Sequence, residues 1–146
     1  MSPLNDDVDV EPLLLGLVGP ALHADAAPAV CATWASFQRH FGELEAAPVG
    51  GYRCGHAAVN AFVNGVERVA FAPAASPEAT VSAAAALARR CAPAVLVLPE
   101  LIASRELIAS HALITTLRAL RGAFEEPPRI VVDGPPEASV AELCAL

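Results

Sequence analysis

Alanine, rather than a large side chain, fills most of the apolar positions in this chain, and that restricts what it can fold into. A core built from small residues must be finely packed rather than aromatic-rich: 55% of the residues are hydrophobic but only 5% are aromatic. That hydrophobic fraction excludes a disordered chain. At 146 residues, a domain buries roughly 68–70% of its unfolded surface. The length therefore suits one self-sufficient core and not two large ones.

The charges narrow the partners. All nine basic residues are arginine, and the formal net charge is −7. The arginines are scattered, whereas a phosphate-backbone binder clusters them, so no nucleic-acid partner is expected. An acidic surface also repels anionic membranes. The alanine run at 83–88 is stopped by Arg89 and Arg90 before it reaches membrane-spanning length. Residues 13–26 end in small residues like a signal peptide, but Asp6, Asp7, Asp9 and Glu11 stand where a basic region is required. The expected location is cytoplasmic. Cys31, Cys54, Cys91 and Cys144 are widely spaced, with no Cys-x-x-Cys, and in that compartment they are read as thiols.

Punctuation by proline and glycine divides the chain. Residues 1–10 read as a frayed acidic tail, and residues 11–146 as one domain. Its helical part is expected at 11–65 and its sheet-containing part at 66–136. Pro12 suits the first position of a short helix through Leu14, Leu15 and Leu17, stopped by Gly19-Pro20. Pro28 suits the start of a second helix, in which Val30, Trp34, Phe37 and Phe41 form an amphipathic stripe. Residues 45–53 read as a loop, with Gly50-Gly51 a hinge or a narrow cleft. Cys54 to Gly65 reads as a helix with glycine as its C-cap. Residues 66–72 alternate like a strand. Ser76-Pro77-Glu78 signals a helix start by cap, proline and early acid, and that helix runs to Arg90. A short apolar strand follows at 94–98. Residues 111–120 fit a strand or a helix. Residues 129–133 read as a strand ended by Gly134-Pro135-Pro136. Residues 137–146 are a short helix or disordered. Helices first and strands after suggest an α+β protein with segregated elements.

Three residues stand in an order that carries chemistry: Cys54, His111 and Asp133. A thiolate nucleophile is favoured at a helix N-terminus and beside an imidazolium; it needs a base within reach and a third group to orient that base. Cys54 lies where a glycine-rich loop becomes a helix. His111 and Asp133, if carried on adjacent strands, would stand side by side; a helical 111–120 would break that geometry.

Tyr52-Arg-Cys-Gly-His-Ala-Ala-Val-Asn-Ala-Phe-Val-Asn-Gly65, Ser110-His-Ala-Leu-Ile-Thr-Thr116 and Arg129-Ile-Val-Val-Asp-Gly-Pro-Pro136 resemble the papain-like cysteine peptidases. The first is similar to the nucleophile helix of compact C39-like peptidases and Josephin-type deubiquitinases. The resemblance covers about residues 50–136. It implies N-terminal helices packed on a small antiparallel sheet, with Cys54 as nucleophile, His111 as general base and Asp133 as orienter. It further implies cleavage of a peptide or isopeptide bond through a Cys54 thioester, on a peptide or protein substrate such as a ubiquitin-like modifier, without a cofactor or metal. The chain departs from the family in having no Gln just before the Cys, Gln38 being its only one, and Ser110 rather than Gly before the His.

A second resemblance competes. Arg68-Val-Ala-Phe-Ala-Pro73, the alanine helix and Ala94-Val-Leu-Val-Leu-Pro-Glu-Leu101 are similar to the start of a nitrilase-type carbon–nitrogen hydrolase. That resemblance makes Glu100 a base and implies parallel strands at 68–72, 95–98 and 130–133. The family's catalytic Lys is missing, since the chain has no lysine.

The alternatives from the residues themselves are plainer. Cys54 reads equally as a buried thiol, and Asp133 before Gly-Pro-Pro as a turn former. His56, two residues past Cys54, points elsewhere on a helix. His23, His40 and Cys31 fit no metal-ligand spacing. No glycine motif for a nucleotide is present. The alternative to an enzyme is a non-catalytic interaction module that uses the Trp34, Phe37 and Phe41 face.

Overall fold

The computed structural model describes residues 13–23, 26–47, 52–99 and 111–132. Strand β1 (Leu14–Gly19) opens it, followed by β2 (Ala29–Cys31), α1 (Trp34–Phe41), α2 (Arg53–Val63), β3 (Arg68–Pro73), α3 (Thr80–Ala88), β4 (Val95–Leu98), α4 (His111–Gly122) and β5 (Arg129–Val132). The chain thus mixes helices and strands, as expected.

Their arrangement differs from the expected antiparallel sheet with helices gathered before it. The five strands form one sheet in the order β2-β3-β1-β4-β5. β3 and β4 both run parallel to β1, and β5 runs parallel to β4. Only the short edge strand β2 is antiparallel. Parallel neighbours require crossover connections, which helices supply, so helices and strands interleave. Leaving β2 aside, the parallel strands have the order second-first-third-fourth, that of a doubly wound α/β sheet.

Two stretches expected as helix are strand. Leu14–Gly19 is β1, buried at five of its six positions and half-buried at the sixth. A strand flanked on both edges and covered on both faces reads as a continuous apolar run instead of an alternation. Residues after Pro28 form β2, and α1 begins only at Trp34, where the Thr33 hydroxyl accepts the Ser36 N–H at 3.1 Å. Ser76-Pro77-Glu78 leads into a short 3-10 turn at Pro77–Ala79 before α3. The Cys54 helix, its Gly65 cap with φ of 89°, and strands β3, β4 and β5 fall where the sequence placed them. β3, β4 and β5 are parallel, as the second resemblance implies, with β1 between β3 and β4.

The sheet separates two cores of different composition. One face carries Val18, Ala70, Ala72, Leu96 and Leu98 against Ala84 and Leu87 of α3 and Leu113 and Leu120 of α4. This is the small-residue packing that the alanine content demands. The other face carries Leu17, Val69 and Phe71 against Phe37, Phe41, Tyr52, Cys54 and Ala58 of the α1–α2 layer. Every aromatic residue except Phe124 belongs to this second core. Phe71 is its centre: its ring stacks on Phe37 at 5.5 Å between centroids and meets Phe41 edge-on at 4.6 Å. Offset and edge-on geometries of this kind add to the burial of the rings.

Phe71→Ala removes a fully buried ring from that centre and is expected to cost about 3–5 kcal/mol, read from the midpoint of urea unfolding. Val63→Ala, at a 79% exposed site, is the matched control and should leave the midpoint nearly unchanged.

Candidate functional site

In doubly wound sheets, ligands bind outside the carboxyl ends of the strands. Here that edge holds a cleft of about 600 Å³, within the 300–1,000 Å³ range of small-molecule sites. Val97, Pro99, Val131 and Val132 form its sheet-side wall, and Arg53, His56, Ala57 and Asn60 face them from α2. The helical positions are i, i+3, i+4 and i+7, one face of a helix. The opposite face of α2 buries Cys54 and Ala58 in the aromatic core. One helix therefore presents a guanidinium, an imidazole and an amide to the cleft while anchoring itself by its other side.

The anchoring is close. β1 ends at Gly19, where a Cβ atom would lie 2.6 Å from the Cys54 sulfur. A Cβ on Gly55 would lie 2.5 Å from the Tyr52 ring. Glycine at these two positions lets the first turn of α2 seat directly on the end of β1 and on Tyr52. Tyr52 is itself buried and donates its hydroxyl to the Phe41 carbonyl at 3.0 Å. Burial, with Cys54 adding to it, pushes the Tyr52 phenol well above its ordinary range, so it stays a neutral donor. The link from Tyr52 to Phe41 ties the start of α2 to the end of α1.

Of the residues expected to form a triad, Cys54 and His111 are described. Cys54 lies in the first turn of α2, as the sequence indicated, but it has no exposed surface. Its sulfur is packed against β1, so the thiol is not presented to the cleft. His111 is exposed and opens α4 instead of a strand. The α4 helix packs into the alanine-rich core, on the other side of the sheet from Cys54. His111 is therefore not carried on a strand, as the expected pairing required of it. Asp133 and Glu100 lie outside the described residues. Gln38 is on α1, and Gly50-Gly51 lies outside the described residues.

The expected interaction face is also accounted for by the core. Phe37 and Phe41 are fully buried and Trp34 is half-buried, stacked on Phe37 at 5.5 Å. The stripe is amphipathic because it packs on β3, and it is not a free surface. The cleft residues His56 and Asn60 were missed as a group. Their signal was the spacing Arg53, His56, Ala57, Asn60, a second stripe on the helix whose first stripe is core.

Among the described residues no three His, Cys, Asp or Glu side chains gather into a metal site, and no helix is long and apolar enough to cross a membrane. No protein-family model and no curated protein sequence matches the chain.

Two measurements check this arrangement. Gly19→Ala is expected to destabilise by about 1–3 kcal/mol through overpacking. Cys54→Ala in the same chain should recover part of that loss, giving a nonzero coupling in the double-mutant cycle. In the native protein, alkylation of Cys54 should be far slower than that of half-buried Cys91, as mass spectrometry of quenched time points would show. Equal rates would mean an accessible Cys54.

Proposed function

We propose that this chain is a non-catalytic α/β binding module whose working surface is the carboxyl-edge cleft. The observation that carries the reading is the convergence of Arg53, His56 and Asn60 on a cleft walled by Val97, Pro99, Val131 and Val132. A few polar groups fixed on a rigid helix, facing an apolar wall, are what a small ligand needs for orientation and burial. The wall suits an apolar body and the helix suits a polar head. Val131 is 45% exposed, so the wall has apolar surface left to bury.

The papain-like cysteine peptidase is the second reading. The observation that favours it is the position of Cys54 in the first turn of a helix, where a thiolate is stabilised. It ranks below the binding reading because a nucleophile must meet its substrate, and the Cys54 side chain is wholly covered. It predicts hydrolysis of a peptide or ubiquitin-like conjugate that Cys54→Ala abolishes; the binding reading predicts no hydrolysis at all.

The binding reading is tested by saturation-transfer NMR with a library of small polar-headed fragments. Fragments should bind the native chain and lose their signals with Val131→Trp, which fills the cleft from an exposed position without touching either core. Fragments that bind both proteins equally, or no binding to either, would overturn it.

A further inference from the structure

The opposite edge of the sheet holds a second cleft, of about 410 Å³, in which Arg68, Arg90 and Cys91 stand over an apolar floor of Leu14, Ala92 and Ala94. The topology builds it. Arg68 opens β3 beside Leu14, the first residue of β1, and Arg90 and Cys91 follow α3 on the way to β4. The Ala94 N–H donates to the Leu14 carbonyl at 3.2 Å, which closes the floor. Both arginines are exposed, and neither makes an ion pair among the described residues.

Arg68 and Arg90 both line this one small cleft, and like charges brought to one place oppose each other more beside apolar surface than in open water. In a chain with 16 acidic residues against nine arginines, partners for them are plentiful, yet no carboxylate is among the described residues lining this cleft. Glu67, next to Arg68 in sequence, is not on the lining. Arg90 also suits the carboxyl end of α3, where a cation complements the helix dipole, but that role gives no account of Arg68 on another element. Arg68 does act within the cleft: its charge draws the Cys91 thiol down, against the larger upward push of burial.

We propose that this amino-edge cleft is an oxyanion site in which Arg68 and Arg90 together hold a phosphate or carboxylate group. The planar guanidinium matches either group through paired N–H donors, and two of them suit a group with more than one charged oxygen. The inference is independent of the carboxyl-edge cleft. Two sources can supply the oxyanion. One is a small anion from solution. The other is the chain itself, since Leu13 lines the cleft and Asp6, Asp7, Asp9 and Glu11 precede it closely.

The test is a titration of the full chain with inorganic pyrophosphate at low ionic strength, followed by the backbone amide signals of Arg68, Arg90, Cys91, Ala92 and Ala94. Saturable shifts confined to those signals, weakened at least tenfold by the double substitution Arg68→Gln and Arg90→Gln, assign the site to an anion from solution. If the native chain gives no shifts but the variant Asp6→Asn, Asp7→Asn, Asp9→Asn, Glu11→Gln binds pyrophosphate at the same residues, the chain's own carboxylates are the occupant. No binding by either protein, or binding that survives the loss of both arginines, overturns the proposal. Circular dichroism of each variant confirms that it is folded.

Discussion

The whole arrangement depends on β1 having a neighbour on each edge and a core on each face. Strand pairing consumes its backbone groups toward β3 and β4. Its side chains alternate between the aromatic core, through Leu17, and the alanine-rich core, through Leu14 and Val18. Among the described residues no other strand links the two halves, since β3 lies to one side of it and β4 to the other. The chain passes from β3 through α3 to β4 across this strand, and the direction of winding reverses there. That reversal puts α1 and α2 on one face and α3 and α4 on the other. A polar substitution at Leu17 would damage the contact between the halves as well as one core.

The position of α2 follows from where β1 stops. Gly19 has no side chain to hold the helix away, so the Cys54 sulfur occupies the space a Cβ would take. Gly55 in turn admits the Tyr52 ring, and the Tyr52 hydroxyl is fixed on Phe41. These contacts set the rotation of α2 about its axis. With Cys54 and Ala58 turned inward, residues 53, 56, 57 and 60 have to face the carboxyl-edge cleft. A residue that seemed to offer chemistry thus has a steric task, and the polar groups one and two positions away inherit the exposed geometry.

What could be read from the sequence, and what could not, has a physical pattern. The Cys54 helix, its Gly65 cap and strands β3 to β5 were legible because each is bounded by turn residues and has a period or length of its own. β1 was not, because burial on both faces erases the alternation by which a strand is recognised, and LLGLVG then reads as one side of a helix. His111 was ambiguous for a related reason: residues 113, 115 and 117 alternate while 113, 117 and 120 fit a helical stripe, and the core contacts of Leu113 and Leu120 decide for the helix. The triad depended on that ambiguity. The aromatic stripe at Trp34, Phe37 and Phe41 was correctly periodic, but periodicity reports that a face is apolar and not what covers it. Phe71, on a distant strand, covers it here.

The distribution of small and large residues sharpens the functional argument. α3 packs on the sheet through the alanine-rich core, and Arg90 and Cys91, which follow it, line one cleft with Leu14 and Arg68 at the start of β1 and β3. On the other face α2 packs over β1 and β3, and Val97 and Val131 of β4 and β5 line the cleft beside it. Both clefts bring cationic or amide groups beside apolar surface: those of the first cleft stand on α2, which is buried on its other face, and those of the second on β3 and on the connection after α3. Rigid presentation of a few donors favours recognition of a bound group. Chemistry by a thiol would ask the opposite of Cys54, an exposed sulfur, which the close seat of α2 on Gly19 does not allow.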